Sequence, residues 1–238
     1  MPKLEKKTIS KEEVLKSAPQ LFKPIGTETI RSGGRVEIEN ENLKISLRYE
    51  DIKFSVDNLP KNEEEMIQTN LHLSDRHILR FLNFKPDDFY ELRYFLLENK
   101  NDCNQIELEE YDTRQTRIFV LKDGCDFDGS SAHSLEDYIR LNAEPKTVAA
   151  LLIAFHEIGH KKDPNISMWD AFANRESEED IERGNKKMLD RERYAWAYSL
   201  SKLKPFLPGM NADLEEVNAF IHEHCLGTYS DFIKNNNQ

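Results

Sequence analysis

Cysteine is scarce and scattered: Cys103, Cys125 and Cys225 are an odd number at wide spacing. That argues against a disulfide framework and fits a reducing compartment, so the cytoplasm is the expected location. With no Cys-x-x-Cys pair, a cysteine-based zinc site is not expected either. Long apolar runs are also missing. No uncharged apolar stretch approaches the length that crosses a bilayer, and Met1-Pro2-Lys3-Leu4-Glu5-Lys6-Lys7 leads into no apolar h-region, so neither a membrane span nor a secretion signal is expected. Positive charge is in deficit. Against 44 acidic residues stand 33 basic ones, a net charge of −11, with no Lys/Arg stripe to offset it locally. Such a field repels phosphate backbones, and nucleic acid is not expected as a direct ligand. Internal repeats are absent as well.

What is present suffices for a fold. The 238 residues can bury a core without staples, and 38% apolar with 32% charged residues points to a compact body with long, wet loops. Residues 8–22 read as a first helix, with Ser10 and Glu13 spaced as a capping box and a stop at Pro19. From Arg35 to Val56 apolar residues alternate (Val36/Ile38, Leu43/Ile45/Leu47, Ile52/Phe54/Val56), which predicts an antiparallel meander. Helical periodicity is read over 63–82 and again over 87–98, the latter rich in aromatics. Gln105 to Leu108 and Thr116 to Leu121 are extended, and Gly124 to Ser131 is a loop.

Thereafter the pattern is helical. Ser134 and Asp137 have capping spacing for a short helix, and Glu144-Pro145 opens the next, closed by Asp163-Pro164. Residues 164–185 are dominated by charge. A helix follows Gly184 to about Leu203, a last one runs from about Ala212 to Cys225, and the Asn-rich end is expected to fray.

One motif carries chemistry: His156-Glu157-Ile158-Gly159-His160. Two histidines four apart on a helix point from one face, so both imidazoles can converge on one Zn²⁺. Zinc lowers the pKa of water toward neutrality, and Glu157 can serve as general base when that water attacks a carbonyl carbon. Hydrolysis of an amide bond is the reaction this set suits.

A catalytic zinc needs a third protein ligand and an open position. The extended form of the motif would require glycine at 163 and histidine at 166, where this chain has Asp163 and Ile166. The ligand therefore lies farther along. Met188, Leu189, Glu192, Ala195, Trp196, Ser199, Leu200 and Leu203 form one helical stripe, with Glu192 in its middle. A carboxylate on a core-facing stripe is costly unless it is paired or binds a metal. Glu192 is therefore the expected third ligand, with a buried ion pair as its other use and Asp190 as the alternative ligand.

With Glu192-Arg-Tyr-Ala195-Trp-Ala197 following the His156–His160 helix, the chain resembles the glutamate-zincin (gluzincin) metallopeptidases, most nearly the ImmA/IrrE-like group. The likeness covers about 116–204. It implies a zincin-like α+β domain with a small, mostly antiparallel sheet and a helical C-terminal half. It also implies His156, His160 and Glu192 as zinc ligands, Glu157 as base, and Thr116 to Leu121 as the edge strand along which a substrate peptide lies. Trp196 and Ala197 depart from the Asn and Phe usual in that group, and no helix-turn-helix region is evident.

His222 and His224 could steady an oxyanion, but nothing in their spacing points to the metal and they read as surface histidines, whereas Tyr194 and Tyr198 suit an oxyanion donor and a packing aromatic equally. His72, His77 and His133 carry no motif. The run 175–183 suits a solvated face or a lid. The expected organisation is an N-terminal extension (1–34) with one helix, a zincin-like domain (35–230, catalytic core about 116–204) and a flexible tail (231–238). The expected function is a zinc-dependent metallopeptidase, with one catalytic Zn²⁺, acting on a peptide or protein. The other reading is a catalytically silent zincin-fold regulatory or binding protein that retains the metal.

Overall fold

In the computed structural model, described residues are 11–51, 89–108, 117–121, 132–134, 138–164 and 177–227. The architecture is α+β, with a mostly antiparallel sheet and the long helices in the C-terminal half. The chain opens with α1 (Lys11–Ser17) and a 3-10 turn (Pro19–Phe22), so the first helix is shorter than 8–22 and stops where proline removes a donor. Val14 and Leu21 from this segment are fully buried in the common core.

The meander is β1 (Thr27–Arg31), β2 (Arg35–Glu39) and β3 (Leu43–Asp51), antiparallel throughout. The alternation at Val36/Ile38 and Leu43/Ile45/Leu47 faces the core as expected. β1 was not anticipated, because all of its side chains are exposed and its sequence carries no apolar alternation. Gly34 sits at a φ of 72° in the β1–β2 turn, and a Cβ there would lie 2.4 Å from the Tyr49 carbonyl oxygen, so only glycine fits.

The helix expected over 87–98 is instead the longest strand, β4 (Phe89–Asn99). A β-bulge explains the misreading. Arg48 pairs with Tyr94 but Tyr49 pairs with Leu92, leaving Arg93 as an extra residue. The core-facing Leu92 and Phe95 are thereby three apart instead of two, which imitates a helical interval. The aromatic content, a strand preference, was the better guide.

Beyond β4 come β5 (Gln105–Glu107), β6 (Arg117–Leu121), β7 (Ala132–Ser134) and β8 (Tyr138–Leu141). The short helix expected from Ser134 is overturned: β7 ends at that residue and β8 begins at Tyr138. The sheet order is β1-β2-β3-β4-β6-β8-β7, with β5 paired to β4. β6 and β8 run parallel, and β7 is antiparallel to β8 at the edge. The strand 117–121 is therefore internal, and the expectation that it is an edge strand is corrected: among the described residues β7 lies at that edge of the sheet.

Three helices complete the described chain. α2 (Val148–Lys162) begins at Thr147, whose hydroxyl accepts from the Ala150 amide, three residues later than Glu144-Pro145 suggested. It ends at Asp163-Pro164 as expected. Every residue from Val148 to His160 is buried, and the Phe155 ring meets Phe95 of the sheet edge-on at 5.9 Å. α3 (Glu178–Leu203) is capped by Ser177, whose side chain accepts from the Asp180 amide. It starts seven residues before the expected Asn185, because that cap outweighs one interior glycine. Part of the acidic run is thus its first turns. α4 (Leu214–Phe220) continues into a π-helical stretch, Ile221–Leu226. The expectations for Ile52 to Val56, 63–82, 124–131 and the C-terminal tail lie outside the described residues.

Candidate metal centre

Two antiparallel helices, α2 and α3, build the centre by touching at their backbones. A Cβ on Gly159 would lie 2.8 Å from Ala195 Cα and 2.9 Å from its carbonyl oxygen, so the crossing is close enough to require glycine. Within one helical turn of that contact stand the functional groups. The buried Ser199 hydroxyl donates to the Leu152 carbonyl at 2.7 Å, and the Tyr194 hydroxyl donates to the Lys162 carbonyl at 3.1 Å. These two bonds pin α3 at both ends of the crossing.

His156, His160 and Glu192 meet there, all buried, and their donor atoms form a small triangle. His156 Nε2 and His160 Nε2 are 2.9 Å apart. The Glu192 carboxylate lies 3.3 Å from the first and 3.5 Å from the second. Ligands at zinc bond lengths of about 2.0–2.1 Å in a tetrahedron are spaced by roughly 3.3 Å, so the triangle has the dimensions of three corners of such a site. Two imidazole lone pairs and a carboxylate this close repel unless a positive charge lies between them. The His160 pKa is lowered to about 3, by burial first and the His156 charge second, with Glu192 opposing, so a proton is not held there at neutral pH. A divalent cation with nitrogen and oxygen preference fits the donor set.

Glu157 stands beside the triangle, with Oε1 4.0 Å from His156 Nε2. Its pKa is raised to about 7: burial is the largest cause, the His156 charge opposes it, and repulsion from Glu192 adds to it. Arg191 and Arg140 draw it down in turn. Arg140, on β8, is buried and escaped the sequence reading because its segment had been read as helical.

Trp196 was also missed as a site residue. Its ring lies on that of His156 with centroids 4.0 Å apart and planes 31° from parallel, so it fixes the imidazole plane. The advance signal was its place on the same helical stripe as Glu192, four residues on. His156 Nδ1, His160 Nδ1 and Trp196 Nε1 are buried without a hydrogen-bond partner among the described residues.

Other candidates lie elsewhere. Asp190 is exposed and pairs with Arg193 at 3.4 Å. Tyr194 is spent on the Lys162 carbonyl, and Tyr198 packs near Gly159 with Lys202 over its ring. His222 is exposed, while His224 shares a 2.6 Å hydrogen bond with Ser17. No helix among the described residues is long and apolar enough to cross a membrane. Comparison with protein-family models, curated proteins and solved structures finds no match.

Proposed function

We propose that the chain is a zinc-dependent peptidase of zincin-like fold and glutamate-zincin type, in which His156, His160 and Glu192 hold one Zn²⁺ and Glu157 is the general base. The observation that carries this reading is the buried donor triangle with a second carboxylate, Glu157, beside it. Bound there, Zn²⁺ would supply Lewis acidity, lowering the pKa of water and polarising a carbonyl.

The chain's own groups do the rest. Glu157 takes a proton at its carboxylate and returns it to a leaving amine, a task for which a pKa raised toward neutrality is suited. Trp196 and the Gly159–Ala195 contact keep the ligands in register. Among the described residues β7 is an edge strand packed on α2, and the side away from β8 can align an extended peptide by main-chain hydrogen bonds. The substrate is accordingly a peptide or an extended protein segment. The exposed, free Cys103 supports a reducing, cytoplasmic setting.

The test is a peptide mixture incubated with zinc-loaded protein and read by mass spectrometry. Wild type should cleave, and Glu157→Gln should lose at least about 100-fold in rate while keeping its zinc. If wild type cleaves nothing, or Glu157→Gln equals it, a metal-retaining binding protein replaces the peptidase.

A further inference from the structure

A second concavity lies among β1, β2, β3 and the turn before α2, and it shares no lining residue with the metal centre. Its volume is about 430 Å³, within the usual range for small-ligand sites. Glu28, Glu50 and Glu144 line it together with Tyr49, Tyr90 and the apolar Ile30 and Val36. Ile30 is 72% exposed, a large apolar side chain held out over this hollow.

The electrostatics are one-sided. Glu28 and Glu144 share the single ammonium of Lys146, and Glu50 shares Arg93 with Glu91. Among the described residues carboxylate thus exceeds cation along the wall, and Glu144 is itself buried. At the base stands Tyr49, more than nine-tenths buried, whose hydroxyl has no hydrogen-bond partner among the described residues. Burial, reinforced by the charges of Glu144 and Glu28, raises its pKa well above the usual phenol value, so the hydroxyl keeps its proton and sits in the field of those two carboxylates. A buried hydroxyl left unpaired costs about 1–3 kcal/mol, which a ligand donating to its oxygen would recover.

A metal ion does not explain the hollow. The only metal-sized group of ligand atoms among the described residues is His156, His160 and Glu192, so these three glutamates are not gathered tightly enough to enclose one ion. A larger cation with an apolar body can span them, its charge met by Glu144 and Glu28 and its body by Tyr90, Ile30 and Val36. We propose that this hollow binds a small organic ammonium or guanidinium ion. Cation–π attraction from the tilted Tyr49–Tyr90 pair, centroids 5.9 Å apart, adds to the charge pairing.

Calorimetric titration of the full chain with benzylamine and with agmatine, with and without bound zinc, tests this independently of the peptidase reading. At least one amine should saturate one site per chain whether or not zinc is bound. Benzyl alcohol, the uncharged counterpart of benzylamine, should bind at least tenfold more weakly, and Glu144→Gln and Tyr49→Phe should each weaken the amine at least tenfold. If either variant fails to fold, Glu28→Gln, on the exposed edge strand, serves in its place with a several-fold loss. Absence of saturable binding by both amines overturns the proposal. So does equal binding by benzyl alcohol, or undiminished binding in all folded variants.

Discussion

Glu157 is a carboxyl group kept from water, and pH reports what that costs. Its folded pKa of about 7 lies above the ordinary 4.5, so its protonated form stabilises the metal-free fold fully below pH 4.5, and that contribution is lost as pH rises through 7. The neutral amide of Glu157→Gln escapes the loss. Urea unfolding of chelated protein should find the variant gaining on wild type by about 3 kcal/mol between pH 4.5 and pH 8, a figure that follows from the size of the shift. A gap that stays constant over that range would refute the burial argument. Trp196 makes a second prediction. Removing the ring that backs His156 in Trp196→Leu should weaken zinc binding by about tenfold in competition with a chelating dye, whereas Trp196→Phe should keep most of the affinity. At this scale much was legible in advance. His156 and His160 converge because helical geometry brings i and i+4 onto one face, and Glu192 betrayed itself as a carboxylate on an apolar stripe. Trp196 and Arg140 were not, since a ring stack and a charge acting from another element depend on how separate segments meet.

The pairing of α2 with α3 rests on one residue that has no side chain. Gly159→Ala would bring a Cβ to 2.8 Å from the backbone of Ala195, forcing the helices apart. Calorimetry or denaturant unfolding should find a loss of about 1–3 kcal/mol, with weaker zinc binding as Glu192 recedes from the imidazoles. Because the clash is with backbone atoms, adding Ala195→Gly should not restore either property, and restoration would contradict this account of the crossing. Ser199→Ala, which removes only the hydroxyl bond to Leu152, should cost about 1 kcal/mol and leave zinc bound. The elements themselves were read unevenly. β2, β3 and α2 followed from alternation or helical spacing, because each keeps one periodicity throughout, and β5 and β6 followed as extended runs. β4 did not, since its bulge at Arg93 shifts the phase within a single strand and only the partner strand reveals the extra residue. β7 and β8 are too short to show a period.

Across the molecule, the sheet and the helix pair hold each other in place, and sequence order gave little warning of how. β6 precedes β7 and β8 in the chain yet lies inside them in the sheet, so among the described residues the edge beside α2 belongs to β7. Strand order is set by which faces can be buried together, which no local pattern encodes. Asn40 illustrates the same integration: its amide donates to the carbonyls of Ile25 and Gly209, joining segments from both ends of the chain at one turn. A metal that ties α2 to α3 should stabilise this whole arrangement. At a free zinc concentration about 1,000 times the dissociation constant, the gain is about 4 kcal/mol, so chelation should lower the melting temperature by several degrees. The most direct measurement is the zinc content of purified, zinc-exposed protein by mass spectrometry, for wild type beside Glu192→Ala, His156→Ala and Glu157→Gln. About one zinc per chain in wild type and Glu157→Gln, with almost none in the other two, is the predicted result. Wild type that takes up no zinc, or Glu192→Ala that keeps it, would contradict the assignment of these three side chains to one metal.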